Sequence, residues 1–315
     1  MSRLESGYRK LLRLLPAWYR QEREEGMVAA FLADADDLVL ESSWPGWAEL
    51  WRILALAVRL RVGGAGAPAR PMSWGEAVRL VALLGLLARS IILPLGVLGM
   101  VWAWLIGVGN PPAPPSPGVL RSLATQALSV LALLAVVLRH RRPAITFGLL
   151  AAAANVPTVW QAGTGAVLAD SGIAVWAPVL CLLLGFRRDW VPVAHPGRWL
   201  LALPTGVLLA VVQLPAWQVL FDIASLHCLG LVVGTLYQLR CRSGAAWPLA
   251  LSMLSVLVLV TRLVTLEQLA GLPTAAQVSA HAQIPVLVAT AVTTAVLARR
   301  ALRRLPHPAA EHSSP

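Results

Sequence analysis

The sequence predicts an all-α membrane protein, a polytopic transmembrane bundle of eight helical spans that follows a small N-terminal cytoplasmic domain of three helices. The composition supports this fold class, because 57% of the 315 residues are hydrophobic and only 13% are charged, whereas soluble domains carry about 25% charged residues. Apolar runs of about 20 residues, long enough to cross a bilayer as a helix, recur along the chain. Arginines occupy every second connection between those runs, which is typical of multi-span proteins.

The first 62 residues predict three amphipathic helices. The apolar face of the first helix repeats at helical spacing, and Pro16 ends it; its members are Leu4, Tyr8, Leu11, Leu12 and Leu15. The second helix runs from Ala17 to Glu41, with a buried side of Met27, Phe31, Ala35 and Leu38.

The third helix runs from Trp47 to Arg61, with an apolar stripe of Trp47, Leu50, Trp51, Leu54 and Val58. Two arrangements remain open for these three helices: their stripes pack against each other, or they lie against the membrane surface.

Four short motifs follow one another in this segment: Tyr8-Arg9, Leu14-Leu15-Pro16, Tyr19-Arg20 and Glu24-Glu25-Gly26-Met27. The series resembles the N-terminal segment of uncharacterised actinobacterial multi-span integral membrane proteins, and it is similar to the prefix segment ahead of some ABC-type permeases. Gly26, which separates the acids from Met27, departs from that pattern, and the sequence has no counterpart of the permeases' large extracytoplasmic domain. The resemblance implies membrane association and a protein partner, and it implies no reaction.

A Gly/Ala/Pro-rich stretch at 63–72 predicts a flexible linker. Ser73 and Glu76 have the S-x-x-E spacing of a capping box, so we expect the next helix to begin there. Arg89 divides the long apolar stretch that follows. Either residues 73–89 form an in-plane or tilted lead-in with Arg89 at the inner interface, or Arg89 lies within the bilayer; the uncharged run beyond it favours the lead-in.

Eight apolar runs are predicted to span the membrane: 90–109, 119–138, 144–162, 166–186, 199–221, 223–239, 246–265 and 282–298. The connections after the second, fourth, sixth and eighth runs carry twelve arginines: Arg139, Arg141, Arg142, Arg187, Arg188, Arg198, Arg240, Arg242, Arg299, Arg300, Arg303 and Arg304. The other connections carry no basic residue. The positive-inside rule therefore predicts a multi-pass protein of the plasma membrane with N- and C-termini in the cytoplasm. The predicted domains are 1–62 (cytoplasmic helices), 63–72 (linker), 73–304 (eight-span domain) and 305–315 (disordered cytoplasmic tail).

Six polar residues form the candidate membrane site. Three carboxylates map to outer helix ends, a histidine lies one turn inside, and two amides lie within spans: Asp170, Asp222, Glu267, His227, Asn155 and Gln213. Two interpretations remain open: an outward vestibule that binds a cation, metal or proton, or groups that simply end helices in headgroup water. Neutral polar residues within the spans, among them Thr125, Gln126, Thr235 and Gln238, are expected to hydrogen-bond between helices.

Two further features concern packing and charge. Gly230 and Gly234 form a G-x-x-x-G motif that favours close helix packing, within the chain or in a homodimer. Arg121 and Arg262 lie a few residues inside outer helix ends, and we expect their long side chains to extend outward to the interface. Pairing with the outer carboxylates is the alternative.

The sequence has no P-loop, H-E-x-x-H or G-x-S-x-G motif and no zinc-spaced His/Cys cluster, so it predicts no enzyme, cofactor or metal. The formal charge of +11 resides in the short loops, which does not favour nucleic acid as a partner. Two functions remain: a non-enzymatic membrane component whose residues 1–62 dock or regulate a partner, or a small-solute permease that uses polar groups within the bundle. The lipid bilayer is the one partner that both require.

Overall fold

The computed structural model describes residues 3–34, 44–63, 67–106, 116–161, 173–186, 195–217, 223–241, 244–265 and 274–305. Within these ranges the regular structure is entirely helical: α1 (Arg3–Leu12), α2 (Ala17–Ala33), α3 (Trp47–Arg61), α4 (Ala69–Ile106), α5 (Pro117–Val137), α6 (Arg141–Gln161), α7 (Ile173–Gly185), α8 (Pro196–Trp217), α9 (Ile223–Arg240), α10 (Ala246–Thr265) and α11 (Thr274–Arg303). Two compact units divide the chain. Unit 1 takes the described residues of Met1–Glu76 and Arg304–Pro315, and unit 2 takes those of Ala77–Arg303.

Unit 1 has a hydrophobic core that α1 supplies as predicted, since Leu4, Tyr8, Leu11, Leu12 and Leu15 are all buried. From α2, Val28 is buried, and Met27, Phe31 and Leu32 pack half-buried against it. The predicted end of the second helix at Glu41 is wrong for the part that the structure describes, because α2 ends at Ala33 with Asp34 as its C-cap. Ala35 and Leu38 lie outside the described residues.

The third helix has the predicted bounds but buries a different face. Ile53, Ala57 and Leu60 are buried, whereas Trp47 is 70% exposed and Trp51 is 64% exposed. The predicted stripe is therefore wrong for the core, and of its members only Leu50 packs against the core cluster. Helix shape explains the choice, because the small side chain of Ala57 permits close packing that two indole rings would prevent.

The helix α4 begins earlier than predicted, at Ala69, within the expected linker. The predicted capping box is wrong, since Ser73 Oγ donates to the carbonyl oxygen of Ala69 one turn back instead of capping the helix. Pro71 is compatible with this earlier start because the first turn of a helix has no use for its missing N–H.

Two glycines hold the end of α3 against the start of α4. A Cβ on Gly63, whose φ is +79°, would lie 2.8 Å from the carbonyl oxygen of Pro71, and a Cβ on Gly75 would collide with the carbonyl oxygen of Val62. Only glycine permits these approaches. The end of α3 is thus packed against the first turns of α4 within unit 1.

Unit 2 contains two tightly packed helical hairpins, α5 with α6 and α10 with α11; α7 packs on α6, and α9 packs on α10 and α11. Each of the eight predicted apolar runs overlaps one of the helices α4 to α11. Within the described residues, four helical segments are long and apolar enough to cross a membrane: Ala69–Leu98, Pro117–Val137, Ala246–Val264 and Gln277–Arg303. The chain is therefore an all-helical membrane protein.

Arg89 does not interrupt its helix. The helix α4 continues through it, and the first segment able to cross a membrane, Ala69–Leu98, includes it. Residues before it, among them Val81, Ala82 and Leu86, are buried in the core of unit 2. This packing favours the second alternative, in which Arg89 lies within the spanning part of α4.

Helix ends that adjoin arginine-rich connections converge at one end of unit 2. One buried cluster joins Val137 at the end of α5, Ala144 at the start of α6 and Phe186 after α7. A second joins Ala77 of α4 to Ala246 at the start of α10 and Ala298 near the end of α11. Cys181 and Trp199 pack against both clusters, so the two are contiguous. Arg141 reinforces this end, because its Nε donates to the carbonyl oxygen of Phe186 at 2.6 Å.

Candidate functional site

The predicted membrane site is described only in part. Asp170, Asp222 and Glu267 lie outside the described residues, and Gln213 belongs to α8 but its side chain is not described. Asn155 is buried in α6, at 4% exposure, and His227 is half-buried near the start of α9. The convergence of the six residues in one vestibule stays a prediction.

The glycine motif of α9 divides into two different positions. A Cβ on Gly234 would lie 3.2 Å from a methyl group of Leu251, so this glycine permits the close contact between α9 and α10. A Cβ on Gly230 would meet no described atom within 4 Å. Gly234 therefore serves packing within the chain, and Gly230 lies on an outward surface of the described bundle.

The buried threonine hydroxyl groups that the structure describes in unit 2 bond along their own helices. Thr125 Oγ1 donates to the Arg121 carbonyl at 3.0 Å, and Thr235 Oγ1 donates to the Leu231 carbonyl at 2.7 Å. The expected bonds between helices are therefore wrong for these two threonines. A carbonyl one turn back is always within reach of a helical threonine, whereas a partner on another helix requires a matched neighbour.

Gln126 also bonds within its helix, through Nε2 to Ser122 Oγ at 3.2 Å. Its Oε1 is buried and has no hydrogen-bond partner among the described residues, as is true of Ser255 Oγ in α10. Both atoms retain acceptor capacity inside unit 2.

The best-defined polar contact between spanning helices joins Arg262 of α10 to Gln283 of α11. Arg262 Nε donates to Gln283 Oε1 at 2.7 Å, and the two residues are only 7% and 8% exposed. Gln283 Nε2 in turn donates to Ser279 Oγ at 3.3 Å. The expectation that Arg262 extends outward is wrong, because an amide on the adjacent helix offers an acceptor at closer range. Polar residues on two consecutive apolar runs were the signal in the sequence for this pair.

Arg121 behaves as expected. Its Nε donates to the Pro117 carbonyl at 3.4 Å, one turn toward the start of α5, and the side chain is partly exposed. The contrast with Arg262 shows that the same residue type at a similar depth follows whichever acceptor its neighbours provide.

An apolar groove of about 490 Å³ lies between α4 and α8. Its described lining consists of Pro94, Leu203, Pro204, Val207, Leu208 and Val211. Behind it the backbone of Gly206 contacts the side chain of Ile91 closely. Such a lining suits an apolar chain, because it offers no hydrogen bond to a polar solute.

In unit 1 the charged faces of α1 and α2 are partly paired. Arg9 bonds to Glu5 at 3.2 Å and to both carboxylate oxygens of Glu25, at 2.7 and 3.0 Å, with Glu24 at 3.7 Å. The hydrogen bonds that Arg9 donates to Glu25 raise the pKa of the Arg9 guanidinium and lower the pKa of the Glu25 carboxyl.

Tyr8 ties the three helices of unit 1 together. Its ring stacks on Phe31 of α2 with centroids 4.1 Å apart, and its hydroxyl donates to Glu49 of α3 at 3.3 Å. Burial, followed by the neighbouring Glu49 carboxylate, raises the pKa of Tyr8 to about 12. The tyrosine therefore remains neutral and hydrogen-bonded throughout the physiological pH range.

Comparison with protein-family models, curated proteins and solved structures finds no match. Within the described ranges, no three His, Cys, Asp or Glu side chains lie together as a metal site. The resemblance of the N-terminal segment to actinobacterial multi-span proteins and permease prefixes stays a prediction.

Proposed function

We propose that this protein is a non-enzymatic component of the plasma membrane whose unit 1 docks or regulates a protein partner. One observation carries the proposal: unit 1 is compact and has a hydrophobic core of its own, with charged groups on its surface. A chain that served only to fill a bilayer would not need a second core formed by amphipathic helices.

The proposed topology has eight spans with both termini in the cytoplasm. Two observations support it: each predicted run overlaps a helix, and the helix ends next to the arginine-rich connections converge at one end of unit 2. Arginine-bearing connections remain in the cytoplasm during insertion. Residues 1–62 precede the first span and therefore lie in the cytoplasm in this topology.

The proposed docking surface consists of the charges of α1 and α2 that point outward. Arg9 is engaged by Glu5, Glu24 and Glu25. In contrast, four charged side chains at or next to these helices are exposed: Lys10 of α1, Arg13 just after α1, Glu22 of α2 and its C-cap Asp34. Exposed charges set the orientation and association rate of a protein partner more than its affinity. A partner with complementary charge is therefore expected.

Site-specific photo-crosslinking of the full chain in its native membrane tests this proposal. A photoreactive amino acid at Glu22 is expected to capture a discrete protein, whereas the same group at Leu208, a 63% exposed position on α8, is expected to capture none. The double substitution Asp34→Lys and Lys10→Glu should lower the yield at position 22 about tenfold, as expected for the loss of electrostatic steering. Capture of equal amounts at the two positions would overturn the proposal.

A small-solute permease is the second candidate, and the buried Arg262–Gln283 pair favours it, because ionisable groups inside a membrane bundle often mark substrate paths. Asp170, Asn155, Gln213 and His227 are its proposed lining. Proteoliposomes of the full chain can be assayed with labelled inorganic ions, amino acids and sugars. This candidate predicts uptake that Asp170→Asn and Gln283→Leu abolish; uptake that neither change affects, or no uptake at all, excludes it.

A further inference from the structure

The helix α3 has three chemically distinct faces. One third of its circumference carries Ile53, Ala57 and Leu60, which are buried in the core of unit 1. A second stripe of Trp47, Trp51, Leu54 and Val58 lies about 120° around the helix axis, at 3.6 residues per turn. The remaining third carries Arg52 and Arg59. An ordinary amphipathic helix has one apolar stripe, so the second requires a separate explanation.

The second stripe is the tryptophan face, which we define as Trp44, Trp47, Trp51, Leu54 and Val58. Trp47 is 70% exposed, Trp51 is 64% exposed and Trp44 is 44% exposed. The rings of Trp44 and Trp47 meet edge to face with centroids 6.1 Å apart, so these two indoles form one continuous apolar surface. Single exposed apolar residues are ordinary, but adjacent exposed tryptophans mark a surface that is covered in use.

The start of α4 also exposes large apolar side chains within unit 1. Met72 and Trp74 are 52% and 42% exposed. The backbone of Gly63 packs against Pro71 and Met72, and Gly75 packs against Val62, so the end of α3 is fixed to the first turns of α4. The first segment able to cross a membrane, Ala69–Leu98, begins at these same turns. The tryptophan face is therefore attached, by packing and by the chain, to a helix that enters the bilayer.

We propose that the tryptophan face lies on the interfacial zone of the bilayer that α4 enters. Arg59 and the exposed Arg52, which also pairs with Glu49 at 3.3 Å, reach anionic phospholipid headgroups. The indole ring combines an apolar body with one N–H donor and concentrates at this zone of the bilayer. Guanidinium groups beside the indoles add attraction to an anionic leaflet. This inference rests on α4 crossing the membrane, and it does not depend on either activity proposed above.

Lipid is favoured over a protein partner as the occupant of the tryptophan face, because α3 is attached to α4, which enters the bilayer. A face fixed to a membrane-crossing helix meets headgroups at a very high effective concentration, so even weak contacts remain occupied. A protein that covered the same face would have to displace the bilayer surface from it. The charged surface of α1 and α2 is distinct from this face and stays available for such a partner.

Depth-dependent quenching of a fluorescent amino acid tests the inference on the full chain in lipid nanodiscs. The probe replaces Trp51 in one variant and Ala30, an exposed residue of α2, in the matched control. Nitroxide lipids labelled at the headgroup should quench the probe about threefold more strongly at position 51 than at position 30, since an interfacial helix buries its apolar face about 5–10 Å into the headgroup boundary. Replacing part of the phosphatidylcholine with anionic phosphatidylglycerol should raise this quenching ratio. In the anionic mixture, the double substitution Arg52→Gln and Arg59→Gln should lower it again.

A second variant separates docking from folding. The probe is placed at Ala48, an exposed neighbour on α3. We expect it to be quenched as strongly as at position 51 when Trp47 and Trp51 are present, and to lose that quenching when both are replaced by Ser. Hydrogen exchange of α1 checks that the core of unit 1 is intact in that variant. Equal quenching at positions 51 and 30, together with free access of aqueous iodide to position 51, would overturn the inference and leave the tryptophan face for a protein partner. The crosslinking yield at Glu22 is read independently, so either proposal can fail without the other.

Discussion

The two units of this protein follow opposite rules for where apolar side chains lie. In unit 1, α1 and α2 turn their leucines inward and their charges outward, as water requires. In unit 2, large apolar side chains also cover the outside: Leu201 is 68% exposed, Leu208 63% and Val292 58%. Burial inside the protein therefore cannot be the main force that orders unit 2, because lipid solvates leucine as well as a protein core does.

Polar groups show the same contrast. In unit 1 they pair across helices, as Arg9 does with Glu25 and Tyr8 with Glu49. In unit 2 the described buried threonine hydroxyls bond along their own helices, and the side chains of Arg262 and Gln283 make the best-defined contact between two helices. A hydrocarbon solvent offers no hydrogen bonds, so polar groups there take the nearest backbone acceptor.

The sharpest comparison is between matched core leucines. Leu12 in unit 1 and Leu287 in α11 are both fully buried. Leu12→Ala is expected to lower the opening free energy of unit 1 by about 2–5 kcal/mol, since it loses both transfer from water and packing. Leu287→Ala should cost about 2 kcal/mol less, because opening of unit 2 exposes Leu287 to lipid, which solvates leucine as well as the protein core does. The term for transfer from water, about 0.8 kcal/mol for each methylene, is then absent.

Hydrogen exchange with mass spectrometry in nanodiscs measures both losses, since it reports opening free energy segment by segment. Leu149, an exposed residue of α6, provides the control, because its truncation to Ala leaves no internal cavity. Equal losses of opening free energy for Leu12→Ala and Leu287→Ala would show that unit 2, like unit 1, is stabilised by transfer of apolar side chains from water.

A smaller effect comes from placing one charge on the surface of each unit. Val256, 48% exposed at the middle of α10, faces lipid in our interpretation, so Val256→Asp should cost about 2.5–3.5 kcal/mol of insertion free energy. Ala17→Asp, at the exposed first position of α2, should change stability by about 0.5 kcal/mol or less. A membrane-insertion reporter fused after α10 measures the effect of Val256→Asp, and the yield of folded protein measures the effect of Ala17→Asp. Tolerance of Asp at Val256 would contradict a lipid-facing α10.

The smallest effect concerns pH and unit 1 alone. Arg9 lowers the pKa of Glu25 in the folded state, so the carboxylate's contribution to stability is present above its ordinary pKa of 4.5 and is lost as pH falls below it. Glu25→Gln should therefore reduce the protection of α1 and α2 against hydrogen exchange more at pH 7 than at pH 3. Glu22→Gln is the matched control, because its nearest guanidinium nitrogen, on Arg23, lies 4.0 Å away. A similar response in both variants would mean that the Arg9 pair is not the cause.

Much of the fold could be predicted because the signals are local. The α1 face from Leu4 to Leu15 is buried as its spacing requires, and each apolar run overlaps a helix. The predictions that failed depend on neighbours. The capping box at Ser73 was overridden by an earlier helix start at Ala69, and Arg262 turned to Gln283, an acceptor that no pattern within α10 reveals.

The candidate site shows the same limit. Asn155 is buried as expected of a polar residue within a bundle, but the carboxylates Asp170, Asp222 and Glu267 lie outside the described residues, and their meeting point stays a prediction. Spacing along a chain gives depth in a membrane, whereas convergence depends on the order in which helices surround one another.

The sequence by itself determined that this chain enters a membrane, where its helices lie and which connections carry the arginines, because solvation by water or lipid acts on each segment independently. Only the tertiary structure decided which of the two apolar stripes of α3 enters the core and which remains outside with its tryptophans. Both stripes are hydrophobic, so composition and periodicity cannot rank them. The choice depends on shape: Ala57 fits closely against the rest of unit 1 and two indole rings do not.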